Sequence, residues 1–287
     1  MSISPVVRRA KNFQDLLAIP GGDGPYVFTR MFRESDGGER RQSKRNFKLL
    51  RRVDGAIREI VEPGEKVLFL TEGRGFSFWE RWVLGWRRAV VLTDRRAIYL
   101  QLDAGRRPRP LHWQSAYGAV VRVQEGRGGK VEVGTRCGDT LELRGLRRVD
   151  RSVVMDVLRA GAKARRGTET APGLEKLCPR CHRSIAGRPR SCPSCLRDFR
   201  RGWLSALSSM AIPGLGSYLI GYRGFAVLEL AMALTLWIAY LFGLGAWGLP
   251  DVRSTLSPGW FFGVVHGVAA VLAWHLTRRE LFVAGQD

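Results

Sequence analysis

Four cysteines offer the clearest chemistry in the sequence: Cys178-Pro-Arg-Cys181 and, after ten residues, Cys192-Pro-Ser-Cys195. A Cys-X-X-Cys turn aims two sulfurs at one point while its amides face them, and two such turns complete a tetrahedral four-thiolate shell for zinc. Four protein ligands leave no open position for water, so the expected role is structural, with one Zn2+ per chain. Arg180, Arg183, Arg190 and Arg197 would moderate the negative charge of the cluster. Two other readings stay open: His182 replacing one ligand, and a redox dithiol or disulfide pair. The fifth cysteine, Cys137, falls in the strand-like run Lys130 to Leu143 with no histidine close by, and reads as an inert packed thiol.

Two further groups of residues could do chemistry. Arg74, Phe76, Phe78, Trp79, Arg81, Trp82, Trp86, Arg87 and Arg88 place aromatic rings beside guanidinium groups within one hairpin. Aromatic rings prefer the bilayer interface and arginine prefers anionic head groups, so this hairpin is a candidate membrane-surface contact. The alternative is a strand pair whose tryptophans fill a core. Glu229 and His266 are ionisable residues inside long apolar runs, where such groups mark functional sites or need a partner. A Glu229–His266 contact between neighbouring helices would lower the cost of both.

The charge distribution divides the chain. Of 47 Lys and Arg residues, 43 precede Gly202, as do 22 of the 26 Asp and Glu, so the net charge of +21 lies entirely on that first part. Such a surplus attracts polyanions, either nucleic acid or the anionic cytoplasmic leaflet. The N-terminus has no apolar core of signal-peptide length, so the chain is expected to begin in the cytoplasm.

Residues 1–43 lack periodicity and read as mobile. From Lys44 the apolar positions Phe47, Leu50, Val53, Ile57 and Ile60 recur at helical spacing, which predicts an amphipathic helix over 44–62. Short strands rich in branched and aromatic residues follow at 66–70, 76–84, 88–93, 97–102, 110–113, 118–125, 130–134 and 140–144, then a helix over 150–165. Antiparallel strands of this length need closure or a second layer, so 63–165 is expected to be an all-β barrel plugged by a C-terminal helix. Residues 166–177 read as a linker. The apolar segment 203–222 is interrupted at Pro213-Gly214 and is expected to be re-entrant or interfacial. Residues 224–249 and 260–276 then form two transmembrane helices, with 277–287 as a tail. Arg200, Arg201 and Arg223 before the first span, and Arg278 and Arg279 after the second, place both termini in the cytoplasm.

Three resemblances add to this. The run Val91-Leu92-Thr93-Asp94-Arg95-Arg96-Ala97-Ile98-Tyr99-Leu100, preceded by Pro63-Gly64-Glu65 and closed by a helix, resembles bacterial pleckstrin-homology-like or GRAM-like domains. That resemblance implies a docking surface for lipid or protein rather than catalysis. Cys178 to Phe199 resembles the short zinc-ribbon domains, including a proline after the first cysteine of each pair. It departs from them where His182 and Leu196 stand in place of the usual glycine. Ile212-Pro213-Gly214-Leu215-Gly216, followed by Tyr218 and Gly221 to Gly224, resembles small bacterial membrane modules.

The sequence has no nucleophile elbow, phosphate-binding glycine loop, paired catalytic carboxylates or open metal site. The expected protein is a non-enzymatic bacterial inner-membrane protein in which a basic PH-like domain and a zinc ribbon dock an anionic lipid or a membrane-protein partner. The competing readings are a membrane-tethered nucleic-acid binder and a small transport or proton-handling subunit centred on Glu229 and His266.

Overall fold

The computed structural model describes residues 4–19, 24–32, 37–74, 87–103, 105–165, 173–185, 189–199, 202–219, 222–241 and 257–279. The chain is a mixed α/β protein that divides into two compact units, Met1–Ala186 and Gly187–Asp287.

In the first unit, short helices α1 (Pro5–Arg9), α2 (Phe13–Leu17) and α3 (Phe28–Met31) lead into the long helix α4 (Gly37–Ile60). Six strands form one antiparallel sheet in the order β1 (Val67–Arg74), β2 (Arg87–Thr93), β3 (Arg96–Leu102), β4 (Pro108–Ala116), β8 (Leu174–Leu177), β9 (Ser184–Ile185). A second, three-stranded sheet contains β5 (Val120–Gly126), β6 (Lys130–Thr135) and β7 (Thr140–Leu143), and helix α5 (Arg148–Ala164) follows it.

Among the described residues there is no closed barrel, and the reason lies in β2 and β3. All but the first residue of each strand is buried, as expected for a sheet covered on both faces. Ala89, Val91, Ile98 and Leu100 pack against the residues of α1 to α4. Val90, Leu92, Ala97 and Tyr99 point the other way, onto the second sheet and α5 through Val131, Val133, Leu141, Leu143, Val154 and Leu158. Register agrees with this division: Val91 faces Ile98 and Val90 faces Tyr99 across the strand pair. The unit therefore consists of three layers, helices, large sheet, and small sheet with helix, instead of a ring of strands.

The N-terminal region differs from the sequence expectation. Val7, Phe13, Leu16, Tyr26, Phe28, Met31 and Phe32 are all buried in the core shared with α4. Asp54 of α4, fully buried, ties this region down. It accepts hydrogen bonds from the Ser4 N–H and the Tyr26 hydroxyl, each at 2.6 Å, and from Arg58 Nε at 3.1 Å. The predicted helix over 44–62 is longer at its start and ends at Ile60. The predicted linker contains β8, which pairs with β4. Cys137 is exposed in the turn between β6 and β7, because the strand-like run containing it is a hairpin.

The turn between β2 and β3 has a definite cause. The Thr93 hydroxyl donates to Glu65 at 2.7 Å and accepts from the Arg96 N–H at 2.9 Å, while Arg96 Nη2 reaches the same carboxylate at 2.9 Å. Burial alone would raise the Glu65 pKa, but Arg96, the Glu62 N–H and Thr93 outweigh it and hold it below the ordinary glutamate value. A depressed folded pKa contributes stability that is present above the unfolded value of about 4.3 and is lost as pH falls through the folded value. Melting temperature is therefore expected to drop on acidification below about pH 4.3, and Glu65→Gln should flatten that drop while lowering stability at neutral pH. An unchanged acid profile in the variant would remove Glu65 from the explanation.

In the second unit, α6 (Gly202–Ala211) and α7 (Leu215–Leu219) flank the break at Pro213-Gly214. Helices α8 (Arg223–Leu241) and α9 (Pro258–Arg279) follow, and both are long and apolar enough to cross a membrane, with mean hydropathy of 1.8 and 1.4. The ten residues of α6 span about 15 Å, roughly half of a hydrocarbon core. Helix α6 packs along α9, and α7 packs on α6 and α8.

Candidate metal centre and basic cleft

The two Cys-X-X-Cys segments fold into the same turn. The Cys178 N–H donates to the Arg183 carbonyl and the Cys178 carbonyl accepts from the His182 N–H; Cys192, Arg197 and Leu196 repeat the pattern at the same offsets, all between 2.8 and 3.0 Å. His182 and Leu196 close their turns at φ of 56° and 55°, the left-handed region that favours glycine. These are the two positions at which the sequence departs from the usual glycine, so the turn geometry is kept despite the side chains.

The turns bring Cys178, Cys181, Cys192 and Cys195 together, with the four sulfurs within 4.8 Å of one another. Tetrahedral thiolate ligands about 2.3 Å from zinc lie about 3.8 Å apart, so the donor set fits that ion. Cys178 and Cys192 are buried and the other two half-buried. When bound, the metal would hold the two turns together and keep all four thiolates ionised. Arg180, Arg183, Arg190 and Arg197 are exposed around the turns. His182 faces elsewhere: its Nε2 lies 3.4 Å from Glu59 of α4, and its ring is 5.8 Å from that of His112. Burial lowers the His182 pKa, with Glu59 partly opposing it.

A second feature was not legible as a motif. A cavity of about 420 Å³ opens beside α4, β1 and β2, lined by Arg45, Arg87, Arg106 and Arg147 together with Glu72 and Asp150. Glu72 accepts from Arg87 at 2.6 Å and pairs with Arg106 at 3.1 Å, which fixes both guanidinium groups at the wall. Asp150 is buried, accepts from Thr71 at 2.6 Å and also from Gln42, and burial raises its pKa. Four guanidinium groups therefore face two carboxylates, one of which is shifted toward its neutral form. Such a cleft is electropositive and suits an anion with several oxygens.

Of the predicted surface hairpin, Phe76, Phe78, Trp79, Arg81, Trp82, Trp86 and the side chain of Arg74 lie outside the described residues. Arg87 lines the cleft. Arg88 does not reach the surface: it is buried, with its guanidinium 4.6 Å from the centre of the Trp113 ring.

Glu229 and His266 are both buried, but they are not hydrogen-bonded to each other. His266 Nδ1 lies 2.8 Å from the Met210 carbonyl of α6, and Trp237 of α8 donates to His266 Nε2 at 3.2 Å. The second bond makes Nε2 the acceptor, so Nδ1 carries the proton of a neutral ring and donates to Met210. In a continuous helix that carbonyl would accept from Gly214; the break at Pro213 removes that option and the imidazole takes its place.

No protein family, curated protein or solved structure matches this chain.

Proposed function

We propose that the chain is a non-catalytic integral membrane protein of a bacterial inner membrane. Its basic PH-like domain and zinc ribbon form a docking or regulatory module for anionic lipid, in a setting that also admits a membrane-protein partner. The observation that carries this reading is the arginine-lined cleft, in a chain that also holds two helices of membrane-crossing length and hydropathy. The PH-like reading of 63–165 is supported by the way the large and small sheets share a core with α5. The membrane reading is supported by α8, which exposes Val227, Leu228, Leu230, Met232, Leu234, Leu236 and Ile238. A helix apolar on all sides and exposed on most of them suits a hydrocarbon solvent. The arginines flanking both apolar helices favour a cytoplasmic side for the soluble part.

Full-length protein in neutral detergent should bind water-soluble dihexanoyl phosphatidylglycerol in preference to the phosphatidylcholine analogue, and less tightly as salt rises. Arg45 and Arg147 sit exposed at the cleft, and an arginine near an anionic head group contributes about 1 kcal/mol. Arg45→Ala with Arg147→Ala is therefore expected to weaken phosphatidylglycerol binding by about thirtyfold, measured by isothermal titration. Equal affinity for the two lipids, or tight RNA or DNA binding with no lipid preference, would refute the docking reading.

A further inference from the structure

The second unit contains a buried carboxyl group without a counter-charge among the described residues. Glu229 is 7% exposed, and among the described residues neither carboxylate oxygen has a hydrogen-bond partner. The Ser217 side chain is fully buried and its hydroxyl lies beside the carboxyl group, near enough to serve as a weak hydrogen-bonding neighbour. Buried polar groups are almost always satisfied, and one hydroxyl cannot meet both carboxylate oxygens, so the pair calls for a positive charge beside it.

The surrounding helices bring these two groups together without supplying a positive charge. A Cβ on Gly214 would sit 2.4 Å from the Ala226 carbonyl, so the helix break lies against α8 one turn before Glu229 and on the same face. A Cβ on Gly216 would sit 2.0 Å from the Ser205 carbonyl, and the Gly216 N–H donates to Ser209 Oγ at 2.9 Å. Helix α6 thus offers serines, and α7 offers Ser217 and the exposed Tyr218. On α8, Arg223 is exposed with its guanidinium 5.7 Å from the Tyr218 ring, and the Tyr222 before it is buried. On α9, both nitrogens of His266 are engaged and His275 is exposed.

We propose that Glu229 and Ser217 form a monovalent-cation site inside the C-terminal unit, filled by a proton or an alkali ion. One carboxylate and one hydroxyl match a single positive charge, whereas a divalent ion requires more anionic oxygens. A naked carboxylate in apolar surroundings is strongly disfavoured, so the site holds its cation more tightly than an exposed carboxylate would. The site is independent of the lipid-docking cleft and stands whether or not that reading survives.

Dicyclohexylcarbodiimide tests this on the full-length protein in detergent. A protonated carboxyl gives its proton to a carbodiimide nitrogen while its oxygen bonds to the central carbon. The O-acylisourea so formed rearranges to a stable N-acylurea that peptide mass mapping locates. Label on Glu229 is expected to fall at least about tenfold between about pH 6 and about pH 9 as the proton leaves. At fixed pH, protection by sodium or potassium would identify an alkali ion as the ligand, and its absence would identify the proton. Glu229→Gln should abolish the label, and Ser217→Ala should displace the pH midpoint. The wild-type titration needs no variant, so poor folding of either substitution leaves the test intact. No label at Glu229 across the pH range, or labelling indifferent to both pH and cations, would overturn the proposal.

Discussion

Cys192→Ser is expected to empty the metal site: zinc measured on the purified full-length protein should fall from one per chain to a trace. Cys192 is fully buried, and its backbone holds both closing hydrogen bonds of its turn. A serine hydroxyl stays protonated at neutral pH and is a poor zinc donor, so three thiolates would remain around an open position. Zinc binding at structural sites contributes about 10–16 kcal/mol of apparent free energy, comparable to or larger than the whole stability of a typical domain. Proteolysis between the two cysteine pairs should therefore become rapid, and treatment with a strong chelator should reproduce the effect in the unmodified protein. Stoichiometric zinc and unaltered protease resistance in the variant would show that the four sulfurs do not act as a set.

The second large effect is expected at Gly214. Its φ is 88°, and a methyl group there would meet the carbonyl oxygen of Ala226, a backbone atom that cannot swing aside. Left-handed backbone costs a non-glycine residue about 1–2 kcal/mol, and overpacking about 1–3 more. Gly214→Ala should thus destabilise the second unit by about 2–5 kcal/mol, seen as an earlier thermal transition in detergent. Gly224→Ala is the matched control, because its Cβ would have nothing within 4 Å. Similar losses in both variants would mean that the contact between the helix break and α8 is unimportant.

Much of the local structure was legible from residue types. The cysteine spacing identifies the four clustered sulfurs, and the positions Phe47, Leu50, Val53, Ile57 and Ile60 that predict the α4 face are all buried. The apolar character of α8 and α9 predicts their helices. What was hidden is what depends on distant partners. Helices α1 to α3, with four or five residues each, are too short to show a period and form because Val7, Phe13 and Phe28 have a core to enter. The expected barrel failed because single-sequence reading cannot say what covers the second face of a strand. In β2 and β3 the unbroken apolar runs were the only sign that helices lay there. The cleft arginines come from α4, β2, the β3–β4 turn and the approach to α5, so no local pattern groups them. Cys137 falls between the predicted strands 130–134 and 140–144, and the turn that joins them leaves its thiol exposed instead of packed.

The hydrogen bond from His266 to the Met210 carbonyl bears on the order of assembly during synthesis. The two residues are 56 positions apart, and the group that completes α6 belongs to the last helix of the unit. While α6 leaves the ribosome the Met210 carbonyl in its last turn lacks this donor, and in an apolar medium an unfilled carbonyl costs several kcal/mol. Under the proposed membrane setting, that end of α6 would wait at a wet interface until α9 has been made. Under that setting, the described part of the unit would close from α9 back onto α6.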